Sequence, residues 1–326
     1  MIVQINDSLL IFKVMNLLRN RKGEFTMDFK HITVAGSGVL GSQIAFQTAF
    51  MGYQVSVYDI NEEVLEKAKE RLQDLMPYYK KDIGSTDAEL KEAYGRLSFY
   101  SNLADAVENA DLIIEAIPEV VQIKTDFYKQ LATVAPEKTI FATNSSTLLP
   151  SQFVEATGRP DKFLALHFAN EIWKNNTAEI MKHKGTSESV FEEVIAFAKS
   201  IGMIALPLHK EQPGYILNSL LVPLLEAAQM LLVNEVAEVE TIDKTWMVAT
   251  GAPMGPFAIL DVVGITTAYN ITKGKADATG AAEYIKLADK LKVDYIDKGK
   301  LGRATGEGFY KYPNPSFADP DFLKNK

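Results

Sequence analysis

Ile32-Thr33-Val34-Ala35-Gly36-Ser37-Gly38-Val39-Leu40-Gly41 joins a short apolar run to a G-x-G-x-x-G at the head of an amphipathic stretch, Val39 to Met51. The run predicts a strand and the stretch a helix, so the glycines fall at a strand-to-helix turn. Gly36 would permit the tight turn, Gly38 would let a pyrophosphate approach the backbone, and Gly41 would allow close packing of helix on strand. Val39 and Leu40 would begin a helix whose N-terminus faces the negative charge. The next predicted strand, Gln54 to Tyr58, ends at Asp59, 59 − 41 = 18 residues past the last glycine, where an acid can bind the adenosine ribose hydroxyls. Asp59, Glu62 and Glu63 would repel a 2′-phosphate, so NAD is predicted over NADP. Two plainer readings stand beside this one: a glycine-rich turn in an unrelated α/β protein, and Asp59 as the cap of the helix entered at Asp-Ile-Asn-Glu-Glu.

Working outward, short apolar runs continue to alternate with longer amphipathic stretches, the pattern of βαβ units around a parallel sheet. Strands are predicted at Ile32–Ala35, Gln54–Tyr58, Leu97–Tyr100, Leu112–Ala116, Thr139–Thr143, Phe163–Phe168, Ala178–Lys182 and Met203–Leu206. Beyond Lys210-Glu211-Gln212-Pro213-Gly214 the chain reads as helices alone. The expected fold is therefore α/β, with a Rossmann-type sheet domain over 27–209 followed by an all-helical domain over 210–326. The stretch from Tyr215 to about Val236 carries Leu217, Leu220, Leu221, Leu224, Leu225, Ala228, Leu231 and Leu232 at helical spacing, and is expected to be a central core helix bent at Pro223.

A chain of 326 residues, 47% hydrophobic, can fill two cores. A net charge of −8 gives no basic footprint for phosphate backbones or anionic lipid, so neither nucleic acid nor membrane is an expected partner. Without cysteine there is no disulfide framework, thiolate nucleophile or sulfur-bound zinc; no metal is expected, and a reducing, cytoplasmic setting suits the chain. The apolar stretch from Leu9 to Leu18 is too short to span a bilayer, and Asp7 stands where a secretory signal would be positive. Lys22-Gly23-Glu24 is encodable by AAA-GGA-GAA, a purine-rich ribosome-binding sequence ahead of Met27. Residues 1–26 are accordingly expected to be translated leader outside the fold.

Of four histidines, His31 begins a strand, His183 ends one and His209 lies in the linker. His167 closes the apolar strand Lys162-Phe163-Leu164-Ala165-Leu166, at the end where open α/β sheets bind ligands. Glu179 follows twelve residues later on the next strand. If the connection is a hairpin, the carboxylate can orient the imidazole and stabilise its protonated form. Spacing alone leaves ordinary surface residues an equal alternative.

These motifs, in this order, resemble the L-3-hydroxyacyl-CoA dehydrogenase family over nearly all of Met27 to Tyr312. The family's E-A-x-x-E with a following lysine is matched by Glu115-Ala116-Ile117-Pro118-Glu119 and Lys124, and its N-x-S-S by Asn144-Ser145-Ser146-Thr147, with threonine for the second serine. P-G-x-x-x-N is matched by Pro213 to Asn218, P-M-G-P-F by Pro253 to Phe257, and T-G-x-G-F-Y by Thr305 to Tyr310. The resemblance implies an NAD-dependent enzyme of fatty acid metabolism that interconverts 3-hydroxyacyl-CoA and 3-oxoacyl-CoA as a homodimer. His167 would take the hydroxyl proton, Glu179 would hold His167, and Ser146 and Asn218 would bond the substrate's oxygens. Asn144 would join the cofactor site, with Glu119 and Lys124 beside the nicotinamide ribose and carboxamide. Without the resemblance, Ser146 reads as a helix cap, Asn218 as a polar face, and Glu119 and Lys124 as an exposed helix.

One departure lies beside the chemistry. Where the family has H-F-F-N-P, this chain has His167-Phe168-Ala169-Asn170-Glu171, then Ile172-Trp173-Lys174. That change leaves room for a free 3-hydroxy acid or a cationic hydroxy compound, as in gulonate and carnitine dehydrogenases, with Glu171 and Trp173 cradling the cation. A non-catalytic NAD-binding protein, on the pattern of the lens crystallins of this superfamily, is the reading from another class. The retained His167, Glu179, Ser146 and Asn218 argue against it.

Overall fold

The computed structural model describes residues 29–324; the expectations for residues 1–26 and Met27 lie outside them. Strands β1 (His31–Ala35), β2 (Gln54–Tyr58), β3 (Leu97–Tyr100), β4 (Leu112–Glu115), β5 (Ile140–Thr143), β6 (Phe163–Phe168), β7 (Thr177–Lys182) and β8 (Ile204–Leu208) form one sheet in the order β3-β2-β1-β4-β5-β6-β7-β8. The first six run parallel; β7 is antiparallel to β6, and β8 is parallel to β7. The predicted strands are all present, with ends shifted by a residue or two. β4 stops at Glu115 because the next N–H but one, that of Ile117, is taken by the Glu115 side chain instead of a neighbouring strand.

Helices α1 (Val39–Phe50), α2 (Glu62–Ile83), α3 (Asp87–Tyr94), α4 (Leu103–Val107), α5 (Val121–Val134), α6 (Val154–Thr157) and α7 (Glu188–Ser200) accompany this sheet. The chain falls into two compact units, the first ending at Ile216 and the second beginning at Leu217. In the first, β4 and β5 are buried along their whole length, which is why they read as continuous apolar runs. Helix α1 is buried from Gly41 to Ala49, all round its circumference. It can carry polar residues there because each is bonded: Gln47 donates to Ile201 O and accepts from the Tyr79 hydroxyl, and Ser42 donates to Ser37 O.

The second unit holds most of α8 (Tyr215–Val233), then α9 (Val239–Thr250), α10 (Pro256–Val263), α11 (Ile265–Thr279) and α12 (Ala282–Asp294). Two buried carboxylates explain its motifs. Asp243 accepts the N–H groups of Phe257 and Ala258 at the start of α10, and the Tyr310 hydroxyl. Asp261 accepts the N–H groups of Phe309 and Tyr310 and the Tyr312 hydroxyl. A Cβ on Gly255 would lie 2.3 Å from Asp243 Cγ, and one on Gly308 would lie 2.0 Å from Asp261 Oδ1. The P-M-G-P-F and T-G-E-G-F-Y segments are thus structural, tying the chain's end to two helices.

Helix α8 differs from its expectation as a core helix. It is long and apolar enough to cross a membrane by length and composition, yet Leu225, Ala228, Leu232 and Val233 pack into the helical core. Leu220 is 70% exposed, and Leu217 and Leu231 are also exposed, because the leucines occupy more of the circumference than one layer of helices covers. The helix runs on through Pro223 and ends at Val233.

Candidate active site

The glycine turn is built by its contacts. Gly36 has φ +96°, and a Cβ there would come within 2.5 Å of Ala116 O; one on Gly41 would come within 1.9 Å of Gly36 O. Only glycine fits either place. Gly38 is different, because a Cβ there would meet nothing within 4 Å. It opens onto a cavity of about 200 Å³ lined by Gly38, Val39, Leu40, Gly41, Ala116, Ile117, Glu119, Lys124, Asn144 and Ser146. The first intrahelical bond of α1 is Ser42 N to Gly38 O, and no side chain caps the turn before it. Helix-terminal N–H groups aimed into an open cleft form an anion site, which suits a dinucleotide pyrophosphate.

Asp59 ends β2 beside this turn. Its Oδ2 accepts from Ser37 N at 2.7 Å and Ser37 Oγ at 2.6 Å. It is not the helix cap; that role belongs to Asn61, whose side chain accepts from Val64 N. Sequence reasoning missed Arg71, which reaches back from α2 to donate to Ser37 O at 2.9 Å. Nothing local marks it, since it lies 34 residues from its partner.

Antiparallel pairing sets His167 directly opposite Glu179. His167 Nδ1 is 3.2 Å from Glu179 Oε2, and His167 Nε2 is 3.2 Å from Ser146 Oγ. The other oxygen of Glu179 accepts from Ile216 N at 2.9 Å, and Glu179 is 4% exposed. The imidazole therefore has a fixed tilt, one nitrogen on a buried carboxylate and the other on a hydroxyl at the edge of the nucleotide cleft. Such a group can pass a proton to or from an oxygen placed beside Ser146. The face of the ring is covered by Tyr215, with centroids 4.6 Å apart and planes 21° apart.

Glu119 and Lys124 line the cleft; Glu119 is exposed just ahead of α5, whereas Lys124 lies on α5 and is buried. Lys124 is 1% exposed, and its ammonium contacts Glu115 Oε1 at 2.5 Å, Glu119 Oε2 at 3.3 Å and Ile117 O at 3.3 Å. Glu115 is wholly buried and also accepts from Tyr128 and Thr143 hydroxyls. Glu119 Oε1 accepts from Ser145 Oγ, Ser146 N, Thr147 N and Thr147 Oγ1. Burial pushes the Glu119 carboxyl up, but the hydrogen bonds from Ser145 and Thr147 and the Lys124 charge outweigh it and hold the pKa at about 2. Ser146 is thus placed by Glu119, not by a helix cap. Asn144 Oδ1 accepts from Phe168 N at 3.0 Å, joining the end of β5 to the end of β6. Asn218 is half-buried on α8 in the second unit.

Two family profiles cover this architecture: the 3-hydroxyacyl-CoA dehydrogenase NAD-binding domain matches residues 31–212, and the C-terminal domain of the same enzymes matches residues 214–312. The chain belongs to the 3-hydroxyacyl-CoA dehydrogenase family. It is 33% identical over 288 residues to human mitochondrial hydroxyacyl-coenzyme A dehydrogenase, covering 87% of this chain and 91% of that one. A probable 3-hydroxybutyryl-CoA dehydrogenase of Bacillus subtilis is 33% identical over 88% of this chain and 98% of its own. Among solved structures, a diketoreductase studied with dicarbonyl compounds is 55% identical, with a TM-score of 0.83 over 87% of this chain and 99% of that chain. The (S)-3-hydroxybutyryl-CoA dehydrogenase of Ralstonia eutropha is 26% identical, with a TM-score of 0.76 over 88% and 100%.

As a member of this family the chain is an NAD-dependent oxidoreductase. The altered loop after His167 is held from two sides. Gln43 Oε1 accepts from Glu171 N at 2.8 Å, which sustains φ +59° at Glu171. Trp173 donates its indole N–H to Asp82 and lies against Tyr78 and Tyr79. The Trp173 N–H is thus committed to α2, while Glu171 stands exposed on the same loop.

Proposed function

We propose that this dehydrogenase interconverts a 3-hydroxyacyl-CoA and the 3-oxoacyl-CoA, with His167 as the acid–base group and Glu179 as its orienting partner. The observation that carries this is His167, bonded at one nitrogen to a buried carboxylate and at the other to a hydroxyl facing the nucleotide cleft. Bound NAD supplies the hydride acceptor for the alcohol carbon. In oxidation His167 Nε2 takes the alcohol proton, and Glu179 stabilises the imidazolium that results; in reduction the same proton returns to the ketone oxygen. Ser146 Oγ donates to the substrate oxygen and keeps it within reach of Nε2. The glycine turn, Asp59 and Asn144 bind and orient the dinucleotide, while Glu119 and Lys124 shape the nicotinamide end of the cleft.

A second reading keeps this chemistry and removes CoA. The 55% identity to a diketoreductase favours it, as does the loop from Phe168 to Lys174, which departs from the family pattern next to His167. Both substrates place the reacting ketone beside another carbonyl. NADH oxidation with acetoacetyl-CoA, free acetoacetate, a neutral dicarbonyl ester and dehydrocarnitine separates the readings. Turnover is expected with acetoacetyl-CoA; none with it, alongside turnover of the neutral ester, would transfer the assignment to the second reading.

We further propose a two-fold homodimer, placed in the cytoplasm on the strength of its lack of cysteine. Val236, Val248 and Val293 of the second unit are each more than half exposed, as is Leu220, an apolar load that self-complementary helices would cover. Sedimentation at micromolar concentration is expected to give the mass of two chains; a single-chain mass would remove the proposal.

A further inference from the structure

We propose that Tyr215 is a positioning residue for the proton-transfer site, its ring favouring the charged form of the His167 imidazole; this rests on the reading of His167 as the acid–base group. Tyr215 and Ile216 together touch His167, Glu179 and the residue before Ser146. The Tyr215 ring stacks on His167 at 4.6 Å, and its hydroxyl donates to Ser145 O at 2.7 Å, next to Ser146. Ile216 N donates to Glu179 Oε1 at 2.9 Å, on the oxygen turned away from the imidazole. Two adjacent residues can do all this because Tyr215 has φ +56°, a left-handed conformation that a bulky residue adopts only where its surroundings over-determine it.

The choice of ring carries chemistry beyond packing. An aromatic face is electronegative, and a cation lying over it is attracted, the more so away from water. Tyr215 is 1% exposed, so its face is shielded. Burial pushes the Tyr215 hydroxyl far above its ordinary pKa, with the charges of Glu119, Glu179 and Glu115 adding to the effect, so the ring stays a neutral phenol. The groups that face His167 are then Glu179 from β7, Ser146 from the turn after β5, and Tyr215 from the start of α8, with Glu119 one hydrogen bond further off through Ser146 N. Glu179 and the Tyr215 face both favour the proton-bearing form, one through charge and the other through its quadrupole.

The test uses the full chain with Tyr215→Phe and Tyr215→Leu, following NADH-dependent ketone reduction across pH, with NADH Kd measured separately. A proton donor loses activity as pH rises, so weaker support for its charged form moves the alkaline limb of kcat/KM to lower pH. Tyr215→Leu is expected to move that limb down by about half to one pH unit and to lower kcat by roughly three- to tenfold, with NADH Kd unchanged. Tyr215→Phe keeps the ring and should keep the limb. If leucine disrupts folding, Tyr215→Met fills similar space without a π face and carries the same expectation. An unmoved limb in the leucine or methionine variant overturns the proposal, as does a phenylalanine variant as impaired as leucine. Failure of the underlying reading has its own signature: His167→Gln would retain activity.

Discussion

Replacing His167 with glutamine is expected to lower kcat by about 10²- to 10⁴-fold, the range a positioned general base supplies. NADH affinity should change little, because the dinucleotide turn and Asp59 make no hydrogen bond to His167. Glu179→Gln keeps the size and one hydrogen-bond acceptor but removes the charge that stabilises imidazolium, so its loss should be comparable to or smaller than that of His167→Gln. Residues that act as one unit are non-additive. The double variant should therefore lose much less than the product of the two single effects. Near-normal kcat in both single variants, or full additivity in the double, would show that the pair is not the acid–base device.

The second large effect concerns stability. Lys124→Met removes the cation from Glu115, which is wholly buried. Breaking a buried ion pair from one side costs about 3–5 kcal/mol, because the surviving charge has lost its compensation. For a folding unit of this size that corresponds to a fall in melting temperature of roughly 6–20 °C. Glu119 also loses its cation, so the segment from Ser145 to Thr147 should loosen and NADH affinity should weaken. Pairing Lys124→Met with Glu115→Gln removes both charges and should restore much of the stability. Calorimetry showing Lys124→Met within about 2 °C of the parent would mean that Glu115 is compensated by other means.

Glu119 behaves differently with pH. Its carboxyl is held at about 2, so the stabilisation it gives the segment from Ser145 to Thr147 is full above the ordinary carboxylate range and is lost only as pH falls towards 2. Loss of activity in milder acid has to arise elsewhere.

The nucleotide cleft was legible because its parts are local. A glycine at φ +96°, a helix N-terminus and an acid ending the next strand are specified within a few residues of one another or along one βαβ unit. The alternation of apolar runs announced the sheet, and the loss of that alternation after Gly214 announced the helices. Spacing also brought His167 and Glu179 within a hairpin's reach, but spacing does not choose a register. Gln43 on α1 and Asp82 on α2 pin the intervening loop, and the eventual pairing depends on both helices having packed. Lys124 looked like an ordinary cation on an amphipathic helix; only the approach of α5 to β4 puts its ammonium on Glu115. Tyr215 stood at an unspecified position of P-G-x-x-x-N, and nothing in the sequence tied it to the ring it covers, 215 − 167 = 48 residues away. Local chain chemistry thus determined the cofactor turn and the order of elements, since those depend on backbone dihedrals and short-range periodicity. The buried charge network and the stacked histidine were decided by tertiary packing, because each needs groups from separate elements to be desolvated together.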